Sequence, residues 1–256
     1  MTQRAEIGMC FDRAFPAGAM PEYARRVEAA GIEQLWVIED CFYTAGVSLA
    51  ATALAVTDSL TVGLGIMPAV ARNPAITAME IATLCNIAPG RFVPGIGHGL
   101  QNWMQQMGAS TPSPLTTLDE TITVVKRLLS GEQVSFEGRE VTLDAVQLDQ
   151  PPSTVPPVVA GVQQHKSLAL AGRVADGVIL VAGVGPTYVD WALEQAGRPD
   201  DFHVVTFTMM SVADTRREAY GYVAPVVAGM MAERQPALRV LPFFDEMVAK
   251  HAERGD

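Results

Sequence analysis

Residues 61–99, TVGLGIMPAVARNPAITAMEIATLCNIAPGRFVPGIGHG, constrain the fold more than any other stretch of the chain. Positions 61–67 are short, apolar and partly β-branched, the composition of a strand buried on both faces of a parallel sheet. Asn73 and Pro74 supply an N-cap and a first-turn proline, and Pro89-Gly90 stops the helix that they open. Glu80 is the only charge within 74–87, so this helix is apolar nearly all round and is expected to be buried on most sides. Residues 91–97 follow as a second buried strand. Glycines crowd both strands, Gly63 and Gly65 in the first and Gly95, Gly97 and Gly99 at the end of the second. Carboxyl ends of parallel strands are where α/β folds place their ligands.

The rest of the chain repeats this unit. Strand starts near positions 6, 34, 61 and 91 recur about every 30 residues. The spacing predicts strands over 6–11 and 34–38 and helices over 21–30 and 46–56. After Gly97, 98–112 reads as a long polar loop. Ser113-Pro114 caps a helix to 130 whose buried stripe is Leu115, Leu118, Ile122, Val125 and Leu129. Residues 134–136 and 139–143 flank Glu137-Gly138 as a hairpin outside the main sheet. Strands over 158–162, 176–181 and 202–212 and a helix over 167–174 follow. From Arg216 the chain reads as helical, interrupted by Pro225, Pro236 and Pro242. The expectation is an α/β chain with one domain over 1–256, a TIM (β/α)8-type barrel with an inserted loop, helix and hairpin around 98–157. One strand is missing from the count, so the barrel either lacks its last βα unit or closes in another way.

A barrel short of a strand leaves two edges with unpaired backbone groups and an apolar seam. The expected cover is a tail from 225 onward, with Val226, Val227, Met230, Val240, Leu241, Phe243, Phe244 and Met247 as its apolar face, or a second subunit in a homodimer.

Composition removes several function classes. At 256 residues, 49% apolar and 18% charged, the chain can bury a sizeable core. A net charge of −10 argues against nucleic acid or an anionic membrane surface as partner. No apolar run is long enough to span a bilayer, and MTQRAEIGMCFDR lacks the apolar segment of a secretory leader. Cys10, Cys41 and Cys85 have neither CxxC nor metal-ligand spacing. They read as reduced thiols of a cytoplasmic protein, with no metal expected.

Four places carry candidate chemistry. Glu39-Asp40 ends the second strand, where a carboxylate can hold a donor, act as acid or base, or cap the next turn; Asp40 is preferred to Glu39. No histidine is placed to activate Cys41, which reads as packing. GIGHG, Gly95 to Gly99, is not a dinucleotide fingerprint, because its third glycine comes too early and no capped helix follows. Its glycines read as room for a flat ligand, with His98 either a donor to that ligand or an exposed loop histidine. GVQQHKS, Gly161 to Ser167, runs from a strand into a helix, so Lys166, Ser167 and the helix N-terminus form a phosphate site, or an ordinary loop with Ser167 as N-cap. Trp103 and Met104 cover a ligand ring or pack locally. Glu80 reads as a buried carboxylate partnered by Arg72 or Arg91.

In combination, WVIEDCF, LGIMPAVARNP, GRFVPGIGHG and AGVQQHKSLALAGRVADGVIL resemble the bacterial luciferase-like superfamily, flavin- or deazaflavin-dependent oxidoreductases on a TIM barrel. The resemblance spans about residues 5–215 and is nearest to the branch that uses coenzyme F420. It implies hydride transfer between F420 and a small organic substrate. FMN-dependent monooxygenation and non-catalytic flavin binding are the alternatives. It points to Asp40 near the ring, and to Gly65, Ile66 and Met67 as the bulge or non-prolyl cis peptide on which the ring rests. His98, Gly99 and Trp103 border the ring, and Gly161, Val162, Gln163, Gln164, Lys166 and Ser167 form the phosphate loop. Three departures stand out: Cys41 where relatives often carry histidine, Leu100 where sugar-phosphate dehydrogenases carry glutamate, and Gln164-His165 where Gly-Pro is usual.

Overall fold

The computed structural model describes residues 4–232, 239 and 244–254. The chain forms two compact units, Met1–Gly161 with Val174–Asp176, and Val162–Arg173 with Gly177–Asp256.

The first unit runs β1 (Gly8–Phe11), α1 (Met20–Ala29), β2 (Gln34–Val37), α2 (Gly46–Ala55), β3 (Thr61–Pro68), α3 (Pro74–Ile87), β4 (Phe92–Gly97), α4 (Gln101–Gln106), α5 (Pro114–Leu129), β5 (Val134–Glu137), β6 (Thr142–Val146) and β7 (Val159–Gly161). β1, β2, β3, β4 and β7 pair in that order, all parallel. β5 and β6 pair antiparallel in a sheet of their own, as their turn chemistry predicts.

Local sequence explains most of these bounds. Asn73 Oδ1 accepts from the Ala75 N–H at 2.9 Å, and Pro74 opens α3. Ser113 Oγ accepts from the Thr116 N–H, and Leu118, Ile122, Val125, Leu128 and Leu129 of α5 are buried. Gly63 serves packing rather than a ligand: a Cβ there would fall 2.4 Å from the Trp36 ring on β2. Two expectations need correction. α3 is not buried on most sides, because Ile76, Met79 and Ile87 are about half exposed along one face. The polar stretch after Gly97 contains α4, anchored by Met104, which is fully buried against Gly99.

The second unit holds α6 (His165–Val174), β8 (Gly177–Leu180), α7 (Pro186–Gln195), β9 (His203–Thr206), α8 (Arg216–Ala232) and α9 (Phe244–Arg254). β8 and β9 are parallel. α7 has a legible start, an extended Gly185 followed by Pro186, but its apolar stripe is reduced to the buried Tyr188 and Ala192. β9 ends six residues before the expected 212, and Met210 and Val212 beyond it are exposed. α8 continues through Pro225 rather than breaking there. Phe244 of α9 packs on Val227 and Met230 of α8, and the Met230 methyl lies 2.7 Å from where a Gly183 Cβ would stand. This part of the tail therefore packs inside its own unit. Val240, Leu241, Phe243, Pro236 and Pro242 lie outside the described residues.

Candidate functional site

In the first unit, the carboxyl ends of β2 and β3 open on a cavity of about 470 Å³ lined by residues 39–45, Pro68, Ala71, Arg72 and Met107. Arg72, from the β3–α3 loop, grips Glu39 with both terminal nitrogens, Nη2 to Oε2 at 2.9 Å. Its Nε faces Glu80 Oε2 at 3.2 Å, which makes Arg72 the partner expected for Glu80. Arg91 instead donates to the carbonyls of Leu54 and Leu60. Glu39 Oε2 also accepts from the Gly46 N–H at the start of α2, so Glu39 is committed to structure. Burial holds the Glu80 carboxyl above its ordinary range against the pull of Arg72.

Asp40 faces the same cavity already paired. Its Oδ2 accepts from Arg13 Nη1 at 2.7 Å, and the Arg13 guanidinium lies over the Tyr43 ring at 4.8 Å. Arg13 had no signal in the sequence, since it stands in the loop after β1. Burial, with the carboxylates of Glu39 and Asp40, raises the Cys41 thiol above its ordinary pKa, which keeps it protonated and suits packing.

The β3–β4 pairing slips beside this cavity. Leu64 pairs with Pro94 but Met67 with Ile96, leaving one extra residue on β3, and the Gly65–Ile66 peptide is cis. Ile66 turns its side chain across the glycines of the neighbouring strands. A Cβ on Gly161 would fall 2.4 Å from Ile66 Cγ2, and one on Gly97 would fall 2.8 Å from the Gly161 carbonyl oxygen. The result is a partly exposed apolar shelf at Gly65 and Ile66, whereas the Met67 side chain is buried core at 1% exposure.

His98 follows β4, half-buried. The Pro114 carbonyl can only accept, so His98 Nδ1–H donates to it at 3.2 Å and Nε2 is left as an acceptor. Burial lowers the His98 pKa, which keeps the ring neutral near pH 7. Gly99 is left-handed at φ +69°, and a Cβ there would crowd Met104 and Pro68 at 3.0 Å. Met104 is therefore packing, while Trp103 stays partly exposed on α4.

In the second unit, α6 opens at His165, two residues before the expected start. Ser167 is not its N-cap: its hydroxyl donates to the Gln164 carbonyl at 3.0 Å and accepts from the Gln164 N–H at 3.2 Å. Tyr188 of α7 donates from its hydroxyl to the Gln163 carbonyl at 2.9 Å, and burial pushes its pKa up to about 12. Val162 is buried and Lys166 exposed.

The family profile described as luciferase-like monooxygenase matches residues 3–255. The chain belongs to this luciferase-like family. A 5,10-methylenetetrahydromethanopterin reductase of Methanolobus tindarius is 32% identical over 243 residues, 89% of this luciferase-like chain and 74% of the relative. An F420-dependent glucose-6-phosphate dehydrogenase of Nakamurella multipartita is 32% identical over 162 residues, 59% of this chain and 48% of that one. The structure of a coenzyme F420 dependent tetrahydromethanopterin reductase from Methanopyrus kandleri superposes with a TM-score of 0.78 at 24% identity, covering 89% of this chain and 73% of that one. The parallel α/β fold is thus that of luciferase-like oxidoreductases. Among the described residues no helix is long and apolar enough to cross a membrane.

Proposed function

We propose that this luciferase-like chain transfers a hydride between coenzyme F420 and a small organic substrate. The observation that carries the reading is the shelf of Gly65 and Ile66 laid over Gly97 and Gly161, which offers an apolar side chain and not a polar one to a flat ring. The likeness to F420-named relatives supports it. F420 carries a hydride at its ring when bound. The protein's part is orientation and electrostatics. Ile66 supports the ring face, Gly99 and the partly exposed Trp103 border it, and Met67 fixes the shelf from the core side. His98, neutral and held by Pro114, offers Nε2 as a hydrogen-bond acceptor. Asp40 is committed to Arg13 through Oδ2, so its Oδ1 is the oxygen for a substrate donor. Arg72, clamped by Glu39 and Glu80, makes the cavity wall rigid.

The test is anaerobic mixing of the purified chain with reduced F420 and 5,10-methylenetetrahydromethanopterin. Return of oxidised F420 absorbance without oxygen is the expected result. Oxygen-dependent turnover with reduced FMN and none with F420 contradicts the reading.

After Gly161, the last residue of β7, the chain runs through Val162, Gln163 and Gln164, and the backbone N–H groups opening α6 together with Lys166 are proposed to take a phosphate. A charge-assisted contact is worth about 1.5–3 kcal/mol, so Lys166→Ala is expected to weaken F420 binding about tenfold or more. An unchanged affinity in the folded variant excludes Lys166. Ser167→Ala should instead fray α6, since the hydroxyl is engaged with Gln164.

The chain is further proposed to form a homodimer through α3, whose exposed Ile76, Met79 and Ile87 leave an apolar stripe for a second copy. Light scattering should give twice the chain mass for the wild type and the monomer mass for Ile76→Glu with Met79→Glu. A monomeric wild type refutes it.

A further inference from the structure

We infer that a second cavity of the first unit is a subsite for an amine-bearing, hydrogen-bond-donating part of the substrate. The inference rests on the hydride-transfer reading only for the word substrate. The cavity, about 510 Å³, is walled by residues 69–74, 108–112, Thr117 and Thr121 of α5, and residues 140–142 at the start of β6. Ala71 and Arg72 line both this cavity and the one that holds Asp40, so a molecule engaged at Asp40 has this space beside it.

The walls are rich in acceptors. Glu140 is nearly buried, its side chain 11% exposed, and Thr111 donates to its Oε2 at 2.6 Å. Its Oε1 meets the well-exposed Arg139 at 3.5 Å, a contact weak by distance and by solvent. The hydroxyl of Thr121, a residue 1% exposed, has no hydrogen-bond partner among the described residues. Buried polar groups are normally satisfied, so an orphaned hydroxyl on a residue that lines the cavity is the place where a ligand group would be accepted. Arg72, the cation on the wall, is already neutralised by Glu39 and Glu80. The balance favours an ammonium or a neutral donor over an anion, because an ammonium gains a charge-assisted bond to Glu140, whereas a phosphate is repelled by Glu140 and finds Arg72 already paired. That distinguishes this site from one built for a sugar phosphate.

The test uses three matched sugars as probes, glucosamine, glucose and glucose 6-phosphate, titrated onto the full chain by ligand-observed NMR. Glucosamine should saturate, glucose should bind at least about fivefold more weakly, and glucose 6-phosphate should not bind. Thr121→Val should weaken glucosamine about fivefold and raise the thermal midpoint, since it removes an unpartnered buried hydroxyl; a hydroxyl with a purely structural role would lower that midpoint. Glu140→Gln should abolish the preference for glucosamine over glucose. Three results overturn the inference: no sugar binds, glucose 6-phosphate binds as well as glucosamine, or both variants bind like the wild type. F420 titration of the same samples separates the two claims. Wild-type protein that fails to bind F420 removes the hydride-transfer reading, while the sugar series still decides this subsite.

Discussion

Arg72→Met is expected to destabilise the first unit by about 3 kcal/mol at neutral pH, near the lower end for removal of one partner from a buried ion pair. The guanidinium stands between Glu39 and Glu80, and its loss leaves two carboxylates facing one space. The Glu39 side chain is 9% exposed and, among the described residues, retains only the Gly46 N–H. Partial exposure of Arg72 and Glu80, 21% and 28%, lets water repay some of the loss. The pH dependence has a definite sign. Burial already holds the Glu80 pKa above its ordinary 4.5, and without Arg72 it rises further. The folded variant then binds protons that the unfolded chain does not, so its stability falls as pH rises from the carboxylate range to neutrality. Denaturant midpoints at about pH 5 and about pH 7.5 should show the deficit shrinking at the lower value. A deficit below about 1 kcal/mol at neutral pH would place this triad among surface ion pairs.

Gly172→Ala should disrupt the second unit, although alanine is the better helix former by about 1 kcal/mol. A Cβ on Gly172 would fall 1.8 Å from the Ala196 carbonyl oxygen and 2.6 Å from its carbon. Those atoms are backbone at the end of α7 and cannot rotate away, so α6 and α7 must separate. Overpacking of this kind costs about 1–3 kcal/mol or more, which exceeds the propensity gain. Gly229→Ala, on α8 with open space around it, is the control: it should stabilise by about 0.5–1 kcal/mol. Circular dichroism melts of the two variants should move in opposite directions. A Gly172→Ala chain as stable as the wild type would mean that α6 and α7 are not packed this closely.

These two positions also show what could be read from sequence and what could not. Asn73-Pro74, Pro89-Gly90 and Ser113-Pro114 act locally, so α3 and α5 were legible to within a residue. β3, β4 and the hairpin were legible from apolar runs and turn chemistry for the same reason. The role of Gly172 depends on a helix more than twenty residues away, and no local pattern reports that. Gly63 stood out only as a glycine within a strand, and its reason, the Trp36 ring of the neighbouring strand, is not local. α4 is short and mostly polar, and its one buried side chain, Met104, gives too little pattern to mark a helix. At the site, Asp40 and Glu39 were visible as a pair at a strand end. Their division of labour was not, because it is decided by Arg13 and Arg72, which arrive from two other loops. Ser167 was visible as a helix-start residue, but its bonds with Gln164 depend on where the helix opens.

The central claim is that the shelf of Gly65 and Ile66 receives a deazaflavin. Titration of ligand-free protein with F420 and, separately, with FMN, followed by cofactor fluorescence, tests it most directly. Saturable F420 binding at least about tenfold tighter than FMN binding is the predicted result, a difference of about 1.4 kcal/mol. Micromolar binding of FMN with no detectable binding of F420 would contradict it.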